Sequence, residues 1–321
     1  MSTEPADART ACRTHVDLIS GFLGAGKTTF IQKYCAWLRE EGISFAVVEN
    51  EFGAVGVDAA ALKASYADIH ELSGGCICCS MLPNFTELLL KLAGRYDRII
   101  VEPSGIFDAT SFFEIMELVR ARSGAERGFC ATIVDPRCLC RLQEEELCVL
   151  QSQLAGSSSV IYSKCDLPEL PELAVCGEFL RALAEDGALQ IMETPAHLMR
   201  QNDFGTLLEQ RAVLRPVALK KLNHAALFHC PSCKPDVTFT RAQLEWFLTR
   251  FLEGGAARDI LRIKGTVRAA GGGYFAVNCT VCDCMVEEAE TGYGILYFIM
   301  RGSPTAELRV RMDALFSSLP A

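Results

Sequence analysis

The segment Gly21-Phe22-Leu23-Gly24-Ala25-Gly26-Lys27-Thr28 constrains this chain more than any other feature. It fits the pattern G-x-x-x-x-G-K-[ST] and lies between a short apolar run, Val16–Ser20, and the helical pattern Thr29–Glu41, whose Phe30, Tyr34, Trp37 and Leu38 share one face. In that context the glycines let consecutive backbone N–H groups turn inward on phosphates. Lys27 then reaches the β and γ oxygens, and the Thr28 hydroxyl ligates Mg²⁺. Gly21, Gly24, Ala25, Gly26, Lys27, Thr28 and Thr29 are therefore the expected phosphate contacts. The alternative, a glycine-rich turn with an exposed lysine, does not account for the strand before it and the helix after it.

The rest of the first two thirds repeats that alternation. Phe45–Glu49, Arg98–Glu102, Phe129–Asp135 and Ser159–Ser163 are short runs rich in Val and Ile, and helical patterns such as Phe107–Arg122 and Pro168–Glu185 lie between them. Such a chain predicts βαβ units, hence an α/β fold of the P-loop NTPase type with a doubly wound, mostly parallel sheet. The rhythm is lost over Met192–Pro216. Beyond it come a helix at Thr240–Leu252 capped by Thr240, strands at Ile260–Val267 and Tyr274–Val281 around Gly271-Gly272-Gly273, a strand at Gly294–Met300 and a helix at Thr305–Leu319. This predicts two domains, 1–216 and a smaller α+β domain, 217–321.

A phosphate loop needs an acidic residue across the site. Ile99-Ile100-Val101-Glu102-Pro103-Ser104-Gly105 supplies one, delivering Glu102 at the end of a buried strand, with Gly105 allowing close approach to the γ-phosphate. Ser163-Lys164-Cys165-Asp166 follows the last strong strand. An aspartate there can accept from both N1–H and the exocyclic amine of guanine, and the Lys164 stem can pack over the ring, so GTP is favoured over ATP. The usual form is Asn-Lys-x-Asp, from which Ser163 departs.

With a formal charge of -9 and no basic run, a broad nucleic-acid footprint is not expected. The first fifteen residues contain no apolar h-region, and no apolar run is long enough to span a bilayer, so neither a membrane nor the secretory route is expected. The chain has 16 cysteines, several of them clustered as Cys76-Cys78-Cys79, Cys138-Cys140, Cys230-Cys233 and Cys279-Cys282-Cys284. Disulfide scaffolds are small and secreted, so the spacing argues for metal or buried thiols in a reducing cytoplasm. Cys230 and Cys233 with Cys279 and Cys282 have zinc-like C-x-x-C spacing and form either one tetrathiolate site or two unrelated pairs.

In Glu71-Leu72-Ser73-Gly74-Gly75-Cys76-Ile77-Cys78-Cys79 three thiols stand within four residues beside a glycine pair, suited to Zn, Cu(I), Fe–S or Co rather than Mg or Ca. Together with Gly21–Thr28, Glu49-Asn50-Glu51-Phe52-Gly53, Gly56-Val57-Asp58, Glu102–Gly105 and Ser163–Asp166, this loop resembles the CobW family of P-loop GTPases, relatives of UreG and HypB. Leu261-Arg262-Ile263-Lys264-Gly265 looks like the opening of that family's C-terminal domain.

The resemblance implies a slow, metal-responsive GTPase acting as a metallochaperone. It implies Cys76, Cys78 and Cys79 as the metal site and Glu51 near the nucleotide's metal, beside Lys27 and Glu102. Expected cofactors are GTP, Mg²⁺ and Zn²⁺ or Co²⁺. Expected partners are a client metalloprotein or cofactor-assembly protein, and a homo-oligomer is allowed. Ala54, Ser163 and the lack of a histidine-rich tract depart from the family pattern. Two other readings compete: a GTP-bound metal-sequestering or regulatory protein without significant turnover, and an ATP-dependent small-molecule kinase, which leaves Asp166 and the thiol loop unexplained.

Overall fold

A computed structural model describes residues 14–50, 68–72, 82–165, 171–183, 190–192, 195–210, 227–253, 258–302 and 306–320. Strands β1 (His15–Ser20), β2 (Phe45–Asn50), β3 (Ile69–Leu72), β4 (Arg98–Glu102), β5 (Glu126–Val134), β6 (Ser159–Tyr162) and β7 (Gln190–Met192) form a seven-stranded sheet in the order β3-β2-β4-β1-β5-β6-β7. Every pairing in it is parallel. Both faces are covered, which is why these strands read as continuous apolar runs. Val16, Leu18, Ala46, Val48, Ile99 and Val101 pack against helices α2 (Leu82–Leu92) and α3 (Ala109–Ser123). The alternate residues Ile19, Val47, Ile100 and Phe129 pack against α1 (Lys27–Glu40).

The exception to that alternation is Asp17, fully buried in β1 on the α1 side. Its Oδ2 accepts from the Tyr34 hydroxyl (2.9 Å) and Arg98 Nε (3.0 Å), and its Oδ1 accepts from the Phe129 amide (3.2 Å), so one carboxylate ties β1, α1, β4 and β5 together. Burial pushes its pKa up to about 6 against the pull of the Arg98 charge and these hydrogen bonds, which leaves it ionised at neutral pH.

Among the described residues this half also has the single turn α4 (Pro136–Leu139), α5 (Glu144–Ala155), α6 (Pro171–Leu183) and α7 (Gln201–Glu209). The stretch 192–216, which has no βα rhythm, contains α7, whose Phe204 rings against Phe30, Tyr34 and Trp37 of α1. The boundary expected at 216/217 lies outside the described residues.

The second unit is antiparallel. Strands β8 (Phe228–His229), β9 (Ser232–Cys233), β10 (Ile260–Arg268), β11 (Tyr274–Thr280), β12 (Cys284–Ala289) and β13 (Leu296–Arg301) run in the order β12-β11-β10-β13-β8, with β9 also on β13. Helices α8 (Arg241–Leu252) and α9 (Ala306–Ser317) cover one face through Phe247, Phe251 and Leu308. The predicted cap holds: the Thr240 hydroxyl accepts from the Gln243 amide (3.2 Å), and the Gln243 side chain accepts from the Thr240 amide (2.9 Å).

The two sheets are joined rather than strung side by side. Phe22, Leu23, Ile106 and Val149 of the first share an apolar cluster with Phe228, Leu261 and Ile299 of the second. Beside it, fully buried Glu146 accepts from Arg301 through both oxygens (2.6 and 2.8 Å). Among the described residues no helix is long and apolar enough to cross a membrane.

Asp17→Ala would strand the Arg98 guanidinium in the core, and breaking such a buried pair costs about 3–5 kcal/mol. Urea denaturation should show a loss of that size, and a loss under about 1 kcal/mol would mean the carboxylate is not the tie described here.

Candidate functional site

The loop after β1 takes the conformation its glycines permit. Gly21, Gly24 and Gly26 have φ of 142°, 74° and 92°, and Gly26 is the N-cap of α1. Lys27 is buried and folds its ammonium back over the loop, donating to the carbonyls of Gly21 (3.0 Å) and Phe22 (3.4 Å). Across the site β4 delivers Glu102, whose Oε1 accepts from the Thr28 hydroxyl at 2.8 Å. A hydroxyl and a carboxylate in contact beside a phosphate loop form an all-oxygen donor pair of the kind Mg²⁺ takes. Gly105 lies so close that a Cβ there would sit 2.5 Å from the Leu23 amide nitrogen.

At the base end, the Ser163 hydroxyl donates to the Ala25 carbonyl (2.6 Å), so the residue that departs from the usual asparagine still ties this segment to the phosphate loop. Lys164 adopts φ 53°, uncommon for a residue with a Cβ, and its ammonium is held by Asp283 (2.6 Å) and more distantly by Asp135 (3.7 Å). Asp166, Glu51 and the thiol loop residues Cys76, Cys78 and Cys79 lie outside the described residues.

The second sheet roofs this site. A cleft of about 280 Å³ is lined on one side by Gly24, Lys27, Thr28, Glu102 and Lys164 and on the other by Arg262, Asn278, Met285 and Glu287. The β11–β12 hairpin reaches furthest: a Cβ on Gly24 would fall 2.5 Å from Cγ2 of Thr280. At its tip Asp283 accepts from both terminal nitrogens of Arg137 (3.1 and 2.8 Å), and Arg137 also grips Asp135 through Nε and Nη2 (3.1 and 2.8 Å). Partial burial alone would raise the Asp283 pKa, but hydrogen bonds from Lys164 and Arg137 outweigh it and hold the carboxyl below its ordinary value.

The tip also carries Cys282, whose sulfur lies 2.8 Å from that of buried Cys138. The hydrogen bond from Cys138 lowers the Cys282 pKa, helped by the Arg141 and Arg137 charges and opposed by burial.

This hairpin changes the reading of the C-terminal cysteines. Cys279 and Cys284 face each other across the β11–β12 ladder and form a disulfide, while Cys282 sits in the turn between them. Cys233 pairs with Leu296 on β13, and β10 separates β13 from β11. Of the two arrangements the spacing allowed, the single tetrathiolate site of Cys230, Cys233, Cys279 and Cys282 is not assembled, because neighbouring strands of a sheet lie about 4.8 Å apart and the two pairs sit several strands from each other. Among the described residues no group of three or more His, Cys, Asp or Glu is placed to hold a metal ion. Cys35 and Cys130 are buried and burial raises their thiol pKa values, as befits small core residues.

Asn278, Met285 and Glu287 are cleft residues that no motif announces, and Arg262, inside Leu261–Gly265, was read only as part of the opening of a C-terminal domain. The available signal was a pair of basic residues, Arg262 and Lys264, inside a strand otherwise buried and mostly apolar.

A glycine phosphate loop, a lysine laid across it and an acidic strand end make this a P-loop nucleotide-binding site on a doubly wound sheet. The chain belongs to the family described as CobW/HypB/UreG, nucleotide-binding domain, which matches residues 15–189. It is 34% identical over 155 residues to the zinc chaperone YeiR of Escherichia coli, covering 48% of this chain and 47% of that one. It is 27% identical over 170 residues to the zinc-regulated GTPase metalloprotein activator 1 of Schizosaccharomyces pombe, covering 50% and 41%. The chain thus spans about half the length of these relatives or less. A structure of Zn(II)-bound YjiA GTPase from E. coli superposes with a TM-score of 0.36 at 19% identity, over 94% of this chain and 98% of that one.

Asp283→Asn should loosen the hairpin. Because the folded carboxyl is held below its unfolded value, its stabilisation is present above about pH 3.9 and is lost as pH falls through the folded pKa. With the carboxylate part-exposed, an effect of at most about 1 kcal/mol is expected, seen as a lower melting temperature at pH 7. The gap between variant and parent should close in acid. A gap that persists there would assign it to packing instead.

Proposed function

We propose that this protein binds and hydrolyses GTP, slowly and under metal control, and couples hydrolysis to binding and delivering a soft transition metal, zinc or cobalt, or a metal cofactor, to a client protein. The observation that carries the reading is the contact between Thr28 and Glu102 at 2.8 Å beside buried Lys27. In a nucleotide complex Lys27 would neutralise the β and γ phosphates, and Thr28 with Glu102 would hold Mg²⁺, which supplies Lewis-acid stabilisation of the transferring phosphoryl group. Backbone N–H groups of Gly24, Ala25, Gly26 and Thr29 orient the phosphates, and Gly105 leaves room for the γ-phosphate. Ser163, Lys164 and Asp166 select guanine.

The thiol loop enters through the sheet. β3 ends at Leu72 in parallel register with Asn50 at the end of β2, and Glu49 of β2 pairs with Glu102. Ligands of such sheets bind at the carboxyl ends of the strands, and Glu51 with Cys76, Cys78 and Cys79, which follow β2 and β3 in the sequence and lie outside the described residues, are proposed to act there. Relatives named as zinc chaperones support zinc as the first metal to try. A reducing cytoplasm suits those thiols, whereas the Cys279–Cys284 disulfide of the β11–β12 hairpin runs against it.

Lys27→Ala should abolish GTP binding, measured by titration of a fluorescent GTP analogue, because it removes the charge opposite the phosphates. Asp166→Asn should erase the preference for GTP over ATP in competition. Parent protein that binds both equally would favour the kinase reading. Metal affinity should differ between the GTP-analogue and GDP forms by roughly 5- to 150-fold, with the difference lost in Cys78→Ser. Binding without phosphate release, with or without metal, would leave a sequestering protein rather than a GTPase.

A further inference from the structure

Strand β10 carries Arg262 and Lys264 between Leu261, Ile263 and Val267, and all five are buried. Ile263 and Val267 join the apolar cluster under α8 and α9, whereas Arg262 lines the nucleotide cleft on the opposite face. Arg262 Nε donates to Asn278 Oδ1 at 3.1 Å, which fixes the plane of the guanidinium while Asn278 itself lines the same cleft.

The ladder sets how near Arg262 stands to the phosphates. It pairs directly with Thr280, and Thr280 is the residue whose methyl group abuts Gly24 of the phosphate loop. Arg262 is therefore about one strand spacing, roughly 4.8 Å, from a residue in contact with that loop, within reach of a side chain of its length. The cleft it lines also contains Lys27, Thr28 and Glu102, the groups assigned to the β and γ phosphates and their metal.

We infer that Arg262, from the C-terminal sheet, contacts the γ-phosphate in cis and serves as the second cation of the hydrolytic site, opposite Lys27. This rests on the GTPase reading above. A triphosphate with Mg²⁺ retains net negative charge after Lys27 is in place, and in the transition state charge is spread over the equatorial oxygens of the transferring γ-phosphoryl group. A planar, always-charged guanidinium held by Asn278 meets that charge without reorganising. GDP lacks the group Arg262 recognises, so the contact also distinguishes the two nucleotides. The roof is then part of the catalytic centre rather than a separate appendage.

The test uses the full chain with MgCl₂, comparing the parent, Arg262→Gln, Arg262→Lys and Lys27→Ala for binding of fluorescent GTP and GDP analogues and for single-turnover GTP hydrolysis. Arginines supplied to such sites contribute about 10³- to 10⁵-fold, so Arg262→Gln should slow hydrolysis by at least about 100-fold. GTP affinity should fall while GDP affinity stays within about threefold, a split that general destabilisation would not produce. Arg262→Lys keeps the charge but loses the fork and should stay at least about tenfold slow, which decides the matter even where the glutamine variant folds poorly. Hydrolysis by both variants within about threefold of the parent, with Lys27→Ala still losing GTP, overturns the role of Arg262 and leaves the GTPase reading intact. A parent that binds GTP without hydrolysing it overturns both.

Discussion

Three positions without side chains hold the site together by letting backbones meet. A Cβ on Gly21 would lie 2.4 Å from the Ile133 carbonyl oxygen of β5, one on Gly105 2.5 Å from the Leu23 amide nitrogen, and one on Gly24 2.5 Å from the Thr280 methyl. None of these contacts survives a methyl group. The first seats the phosphate loop on the sheet, the second brings the segment after β4 against that loop, and the third lets a hairpin from the other sheet close over it. The rest of the site presupposes these approaches, because the polar contacts form only between segments already this close.

Charge organises the two sides of the sheet differently. Below the loop, one buried aspartate gathers four elements, a structural use of a carboxylate that needs Arg98 and Tyr34 to be tolerable. Above it, Asp135, Arg137, Asp283 and Lys164 form a partly exposed chain of alternating sign that crosses from β5 through α4 to the hairpin tip. Lys164, the residue read as a platform for guanine, is also the residue that a C-terminal aspartate holds. On the proposed reading, base recognition and the seating of the roof share one side chain.

Much of this was legible in the sequence, for identifiable reasons. Parallel strands buried on both faces leave unbroken apolar runs, and the Thr240–Gln243 capping box has a fixed spacing. The phosphate loop, Glu102 and Lys164 were found because strand ends, glycines and charged residues recur there in a set order. Strand β12 was not legible: Cys284–Ala289 is an edge strand whose residues are exposed or half-buried, with Glu287 and Glu288 in place of an apolar alternation. Without it, Cys279-Thr280-Val281-Cys282-Asp283-Cys284 reads as ligand spacing, when Cys279 and Cys284 are ladder partners. Arg262 stood inside Leu261–Gly265, read only as the opening of a C-terminal domain, and its place in the cleft with Asn278, Met285 and Glu287 escaped because these residues lie far along the chain from the nucleotide motifs, so that only the closing of one sheet over the other brings them in.

The pair formed by Glu146 and Arg301 bears on how sequences of this kind can diverge. The two residues stand 155 positions apart, yet they form one buried unit between the sheets. Loss of either alone leaves a desolvated charge, whereas joint replacement by apolar residues of similar volume is close to neutral. Their substitution histories are thus coupled: descendants should keep both or exchange both. The halves of the chain on either side of 211–226 therefore cannot drift independently, even where surface loops around them vary freely.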